Sequence, residues 1–122
     1  MILIKRIYEQ PASSDGIRVL IDRLWPRGVS KEQAALDVWL KEIAPSTNLR
    51  SWFNHQPARF IEFSHKYIDE LSHNPATTFL EQLVVESGNI TLLYAAKDPT
   101  VNHAVILKDF LEMRNLRSRR TS

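Results

Sequence analysis

The sequence predicts an α/β fold, a single compact layer domain whose small, mostly parallel sheet is packed with about four to five helices. Two short apolar runs that end abruptly in charge carry that expectation. Arg18-Val19-Leu20-Ile21 leads into Asp22-Arg23-Leu24-Trp25-Pro26-Arg27-Gly28, and Ile90-Thr91-Leu92-Leu93-Tyr94-Ala95-Ala96 leads into Lys97-Asp98-Pro99. Both read as buried strands, and the stretches around them place apolar residues at helical spacing. The resulting order is two strands, several helices, a strand and a helix.

The first strand is expected over Ile2 to Tyr8 and the second over Ile17 to Asp22, joined by the turn-rich Glu9-Gln10-Pro11-Ala12-Ser13-Ser14-Asp15-Gly16. A parallel crossover normally needs about a dozen residues or more, so this linker suits antiparallel neighbours or strands that are not adjacent. Ser30-Lys31-Glu32-Gln33 has the form of a capping box at a helix start, with Val29 just ahead of it. Leu36, Val38, Trp39, Leu40 and Ile43 follow at a spacing that fits helix or strand.

Beyond Pro45-Ser46-Thr47, Leu49, Trp52 and Phe53 share one face of a short helix that Asn54-His55-Gln56-Pro57 ends. A longer helix starts at about Pro57, with Phe60, Phe63, Tyr67 and Leu71 in register. A third carries Phe79, Leu80, Leu83 and Val84 and stops at Gly88, a residue suited to the left-handed position after a helix. The last is expected from about Pro99 to Arg114, with Ile106, Leu107, Phe110 and Leu111 toward the core.

At 122 residues the chain has the length of one domain, 1–122, with a short basic tail at about 115–122. Its net charge of +2 owes much to Arg114, Arg117, Arg119 and Arg120, so the body is nearly neutral and lacks a global nucleic-acid footprint. No cysteine is present, which excludes disulfides, thiolate nucleophiles and cysteine-ligated zinc. The apolar start, Ile2-Leu3-Ile4, is too short for a signal peptide core, and no run approaches the roughly 20 apolar residues that span a bilayer. A soluble cytoplasmic protein without membrane contact is expected.

The carboxyl ends of sheet strands open into a crevice where α/β proteins place ligands. If the two charged strand ends lie side by side, Asp22, Arg23 and Arg27 face Lys97, Asp98 and His103 across one cleft. Arg18, Arg23 and Arg27 offer planar forks of donors that match phosphate or carboxylate oxygens, or else pair internally with Asp22. Trp25 is either a stacking plate for a ring or a cap on the core. Asp98 before Pro99 is a ready helix cap, a role compatible with attracting an anion. His103 either shuttles a proton or sits neutral against a backbone carbonyl. His55, His65 and His73 lack metal-ligand spacing, so neither metal nor cofactor is expected. The three glycines form no Walker A loop, dinucleotide fingerprint or nucleophile elbow, which excludes the P-loop route to nucleotide hydrolysis.

Several of these segments together resemble the YeaO-like branch of a bacterial family of unknown function, domain-of-unknown-function family 488. The likeness covers nearly the whole chain. It is carried by Asp15-Gly16-Ile17-Arg18-Val19, Asp22 to Gly28, Leu40-Lys41-Glu42-Ile43-Ala44-Pro45-Ser46, Trp52-Phe53, Tyr94-Ala95-Ala96-Lys97-Asp98 and Asn102-His103-Ala104. The resemblance implies one contrast. A sister branch has an Asp-Val-Arg strand near the position of Asp22-Arg23 and a Cys-His-Arg helix start where this chain has Asn102-His103-Ala104. His103 is the shared position, and an amide stands in place of the thiol.

The function expected from the residues is binding of an anionic, phosphate-bearing ligand, such as a nucleotide or nucleic-acid end. The ligand would sit among Arg18, Asp22, Arg23, Trp25, Arg27, Lys97, Asp98, Asn102 and His103. Any hydrolysis or transfer would use Asp22 and His103 for the proton. The rival is a non-catalytic module that contacts nucleic acid or protein.

Overall fold

The structure, a computed structural model, describes the backbone of residues 1–121 and the side chains of residues 1–115. Strands β1 (Ile2–Arg6), β2 (Ile17–Leu20), β3 (Val38–Trp39) and β4 (Ile90–Tyr94) form one sheet in the order β1-β4-β2-β3. Every pairing is parallel. The direction of the first two strands, open in the sequence, is therefore settled: they are parallel and lie on either side of β4. Gly16 makes the entry into β2 possible. Its φ is 65°, and a Cβ there would stand 2.2 Å from the Asn89 carbonyl oxygen, where the chain turns into β4.

Alternation along the strands builds two unequal cores. Val19, Ile21, Ile90, Leu92 and Tyr94 join the larger one with Leu49, Phe53, Phe63, Tyr67, Leu71, Leu80, Leu107 and Leu111. These come from α2 (Thr47–Phe53), α3 (Phe60–Ser72), α4 (Pro75–Ser87) and α5 (His103–Thr121). Leu20, Leu93 and Ile7 point the other way, onto Ala34 of α1 (Lys31–Ala34), with Trp25, Val29, Leu36 and Trp39 packed around them. Both faces of a parallel sheet are thus covered, as its unbroken apolar strands require.

Local chemistry sets most helix ends. Ser30 Oγ accepts from the Gln33 amide and Gln33 Oε1 accepts from the Ser30 amide, which closes the capping box. The helix lasts one turn because Ala35 takes a left-handed conformation, φ 47°. A 3-10 turn, Pro57–Arg59, precedes α3, and Gly88 ends α4 with φ 80°. The ambiguous segment from Leu36 to Ile43 divides into the two-residue β3 and a 3-10 turn, Lys41–Ile43.

The last helix corrects the sequence reading at its start. It begins at His103, not Pro99: Asn102 Oδ1 accepts from the Val105 amide at 3.1 Å and is the cap. Asp98 Oδ1 accepts instead from the amides of Thr100 and Val101, at 2.9 and 3.1 Å, and closes the turn before the helix. Asx turns and N-caps draw on the same short-range side-chain chemistry, so Asp98-Pro99 imitated a cap. The helix also continues past Arg114, while the side chains of the expected basic tail from 116 onward lie outside the described residues. Among the described residues, no helix is long and apolar enough to cross a membrane.

Candidate functional site

An all-parallel sheet delivers its strand ends to one edge, and there the segment after β2 meets the segment after β4 and the first turn of α5. Asp22 joins them. Its Oδ2 accepts from the Ala95 amide at 3.0 Å, and its backbone carbonyl accepts from Trp39 Nε1 at 2.8 Å. His103 Nε2 lies 3.0 Å from the Ile21 carbonyl oxygen, and since a carbonyl only accepts, Nε2 carries the proton. Asp22 Oδ1 stands 3.3 Å from that nitrogen but is buried and accepts no hydrogen bond.

Tyr67 supports this pair from α3. Its ring meets the His103 ring edge-on, centroids 6.0 Å apart, and its hydroxyl donates to the Ile43 carbonyl at 2.7 Å. Burial, with the carboxylates of Glu70 and Asp22 nearby, pushes the Tyr67 phenol well above its ordinary pKa, and Arg23 opposes that shift. Tyr67 therefore stays a donor at any physiological pH. Arg23 Nη2 donates to the carbonyls of Ala44 and Pro45, at 3.2 and 3.3 Å, while its buried Nε has no acceptor.

The remaining sequence-chosen residues fall into two groups. Arg27, Lys97 and Asp98 are exposed on the strand-end loops, and Arg27 makes no side-chain ion pair among the described residues. Asn102 is buried as the cap of α5. Arg18 is not at the strand ends. It belongs to the sheet face, where Nη1 pairs with Asp15 and Nη2 donates to the Ala34 carbonyl at 2.8 Å, and Lys5 completes the buried group at 3.1 Å from Asp15. Trp25 Nε1 donates to the Val29 carbonyl at 2.7 Å, and its ring packs edge-on against Trp39, so the indole is part of the smaller core.

Three residues at this edge escaped the sequence reading. Tyr67 looked like one more apolar helix position, and nothing local distinguishes it. Arg6 and Tyr8, at the end of the first strand, carried a usable signal, because charge closes an apolar run there as it does after β2 and β4. Arg6 Nε and Nη2 donate to the carbonyls of Ala96 and Ala95, at 2.9 and 3.0 Å, and its guanidinium lies 4.7 Å from the centre of the Tyr8 ring. Among the described residues, no three His, Asp or Glu gather into a group able to hold a metal ion.

Comparison with known proteins gives a consistent result. The chain is 43% identical over 107 residues to YeaO, an uncharacterized protein of Escherichia coli strain K12, covering 88% of this chain and 93% of that protein. It is 39% identical over 111 residues to uncharacterized proteins of Mycobacterium bovis and Mycobacterium tuberculosis, covering 91% of this chain and 93% of each. No solved structure matches. The family model described as the inactive DUF488-N3 subclade matches residues 1–122, and the chain belongs to that family.

Proposed function

We propose that this protein binds an anionic, phosphate-bearing ligand at the carboxyl ends of its sheet and does not turn it over. The observation that carries the reading is the buried Nε–H of Arg23, a charged donor with no acceptor in the protein. Buried donors in native proteins nearly always have a partner, and a guanidinium in a protein interior is matched best by an oxyanion. Arg27 and Lys97, exposed on the loops that follow β2 and β4, carry further positive charge at the same edge of the sheet.

Two observations favour binding over catalysis. His103 commits its Nε2 proton to the Ile21 carbonyl, which makes the imidazole a tie between α5 and β2. The subclade to which the chain belongs is described as inactive. Hydrolysis or group transfer through Asp22 and His103, which would need that proton to be free, has less support. A cytoplasmic setting, where phosphate-bearing metabolites abound, is part of this reading.

Thermal melting in phosphate or sulfate, against chloride at matched ionic strength, tests it. An anion at tenfold its Kd adds about 1.4 kcal/mol of stability to the wild type. The double variant Arg27→Ala, Lys97→Ala melts like the wild type in chloride and loses most of that gain. A wild type that phosphate does not stabilise, or a double variant that responds as fully as the wild type, overturns the proposal.

A further inference from the structure

A cleft of about 310 Å³ opens between the segment after β1 and the segment from Gly28 to α1. Asp22 and His103 do not line it; Tyr8, Glu9, Gln10, Gly28, Glu32 and Gln33 do. Tyr8 is 47% exposed and turns part of its ring to this cleft. It is nonetheless held in place: its hydroxyl donates to the Arg27 carbonyl at 3.1 Å, and the Arg6 guanidinium lies over the ring. Arg6 is itself fixed by the Ala95 and Ala96 carbonyls.

We infer that this cleft receives a nucleobase, with Tyr8 as its stacking surface and the phosphate of the same ligand directed toward Arg27. Three features select that chemistry. A ring already polarised by a guanidinium on one side attracts a second cation weakly and a neutral π-system well. The rim supplies carboxylates at Glu32 and at Glu9, whose Oε2 already accepts from the Arg6 amide, to accept from the ring N–H and exocyclic amine of a base, and side-chain amides at Gln10 and at Gln33, whose Oε1 is held by the Ser30 amide and whose amino group is left to donate. The hydrogen bond from the Tyr8 hydroxyl to the Arg27 carbonyl brings the backbone of a cationic residue up to the ring. The phosphate half of this inference rests on the strand-end anion reading; the base half does not. The ligand is a free nucleotide or the end of a nucleic acid, which share this chemistry.

Titration calorimetry on the full chain separates the outcomes, with inorganic phosphate, the four common nucleosides, their 5′-monophosphates and a short single-stranded oligonucleotide as probes. At least one monophosphate binds about tenfold or more tighter than phosphate, the scale of one base stacked on an aromatic side chain. Tyr8→Leu reduces that monophosphate to the phosphate level and leaves phosphate unchanged, whereas Tyr8→Phe, which keeps the ring, retains the increment. Should Tyr8→Leu fail to fold, Glu32→Gln serves in its place and alters the ranking of the four bases. Tighter, steeply salt-dependent binding of the oligonucleotide identifies a nucleic-acid end as the source. Phosphate binding with no gain from any base overturns this inference alone. Binding of nothing overturns it together with the strand-end reading.

Discussion

Asp15 sits between two cations on the sheet face. It is buried, and it faces Arg18 and Lys5 while accepting from the Ala12 amide at 3.0 Å. Burial alone would raise its pKa, but the hydrogen bonds from Ala12, Lys5 and Arg18 outweigh it and hold the group below its ordinary value. A depressed folded-state pKa contributes stability that is present above the unfolded value and is lost as pH falls through the folded one. Wild-type stability therefore declines below about pH 4, and Asp15→Asn flattens that limb. Asp15→Asn also costs about 3–5 kcal/mol at neutral pH, because it strands the Arg18 guanidinium on the sheet face. Urea unfolding from pH 3 to pH 7 checks both. At Ala35 the opposite change is expected. Glycine relieves the left-handed strain at φ 47° and leaves the carbonyl that accepts from Arg18 Nε in place, so Ala35→Gly stabilises by about 0.5 kcal/mol, visible in the same unfolding series.

The start of α5 decides how His103 is presented. Asn102 caps the helix with Oδ1 and ties back to the Asp98 carbonyl through Nδ2 at 2.8 Å, while buried. Asn102→Ala should cost about 1–2 kcal/mol and shift the His103 ring signals in an NMR spectrum. Asp98→Ala should cost less and leave those signals in place, since it opens only an exposed turn. The reverse order would return the cap to Asp98. These elements differ in how far the sequence revealed them. Ser30, Gly88 and the Phe60 to Leu71 stripe are local signals and were legible, whereas β3 consists of two residues whose strand character comes from pairing with Val19 and Leu20. Arg18 misled for the same reason: only the fold shows that alternation turns it onto the sheet face toward Asp15.

At the scale of the molecule, the parallel sheet is what gathers charged segments of distant sequence. One edge collects the Tyr8, Asp22, Arg27, Lys97 and His103 segments from three separate strand ends, and the opposite edge collects the turns at Gly16 and Asn89. The convergence of Asp22 with His103 was readable from two apolar runs ending in charge. The contribution of Tyr67 was not, because it depends on how α3 crosses the larger core. On the proposed reading of binding without turnover, nucleoside triphosphates and phosphomonoesters incubated with the protein release no phosphate above buffer. The most direct measurement of the account is a two-dimensional NMR titration with inorganic phosphate that follows the Arg23 side-chain Nε–H and the backbone amides. Binding of the anion at the strand ends requires saturable shifts of that Nε–H together with the amides of Asp22, Ala95, Lys97 and His103. An Arg23 Nε–H that does not move while the anion saturates elsewhere, or a spectrum that does not change at all, would contradict it.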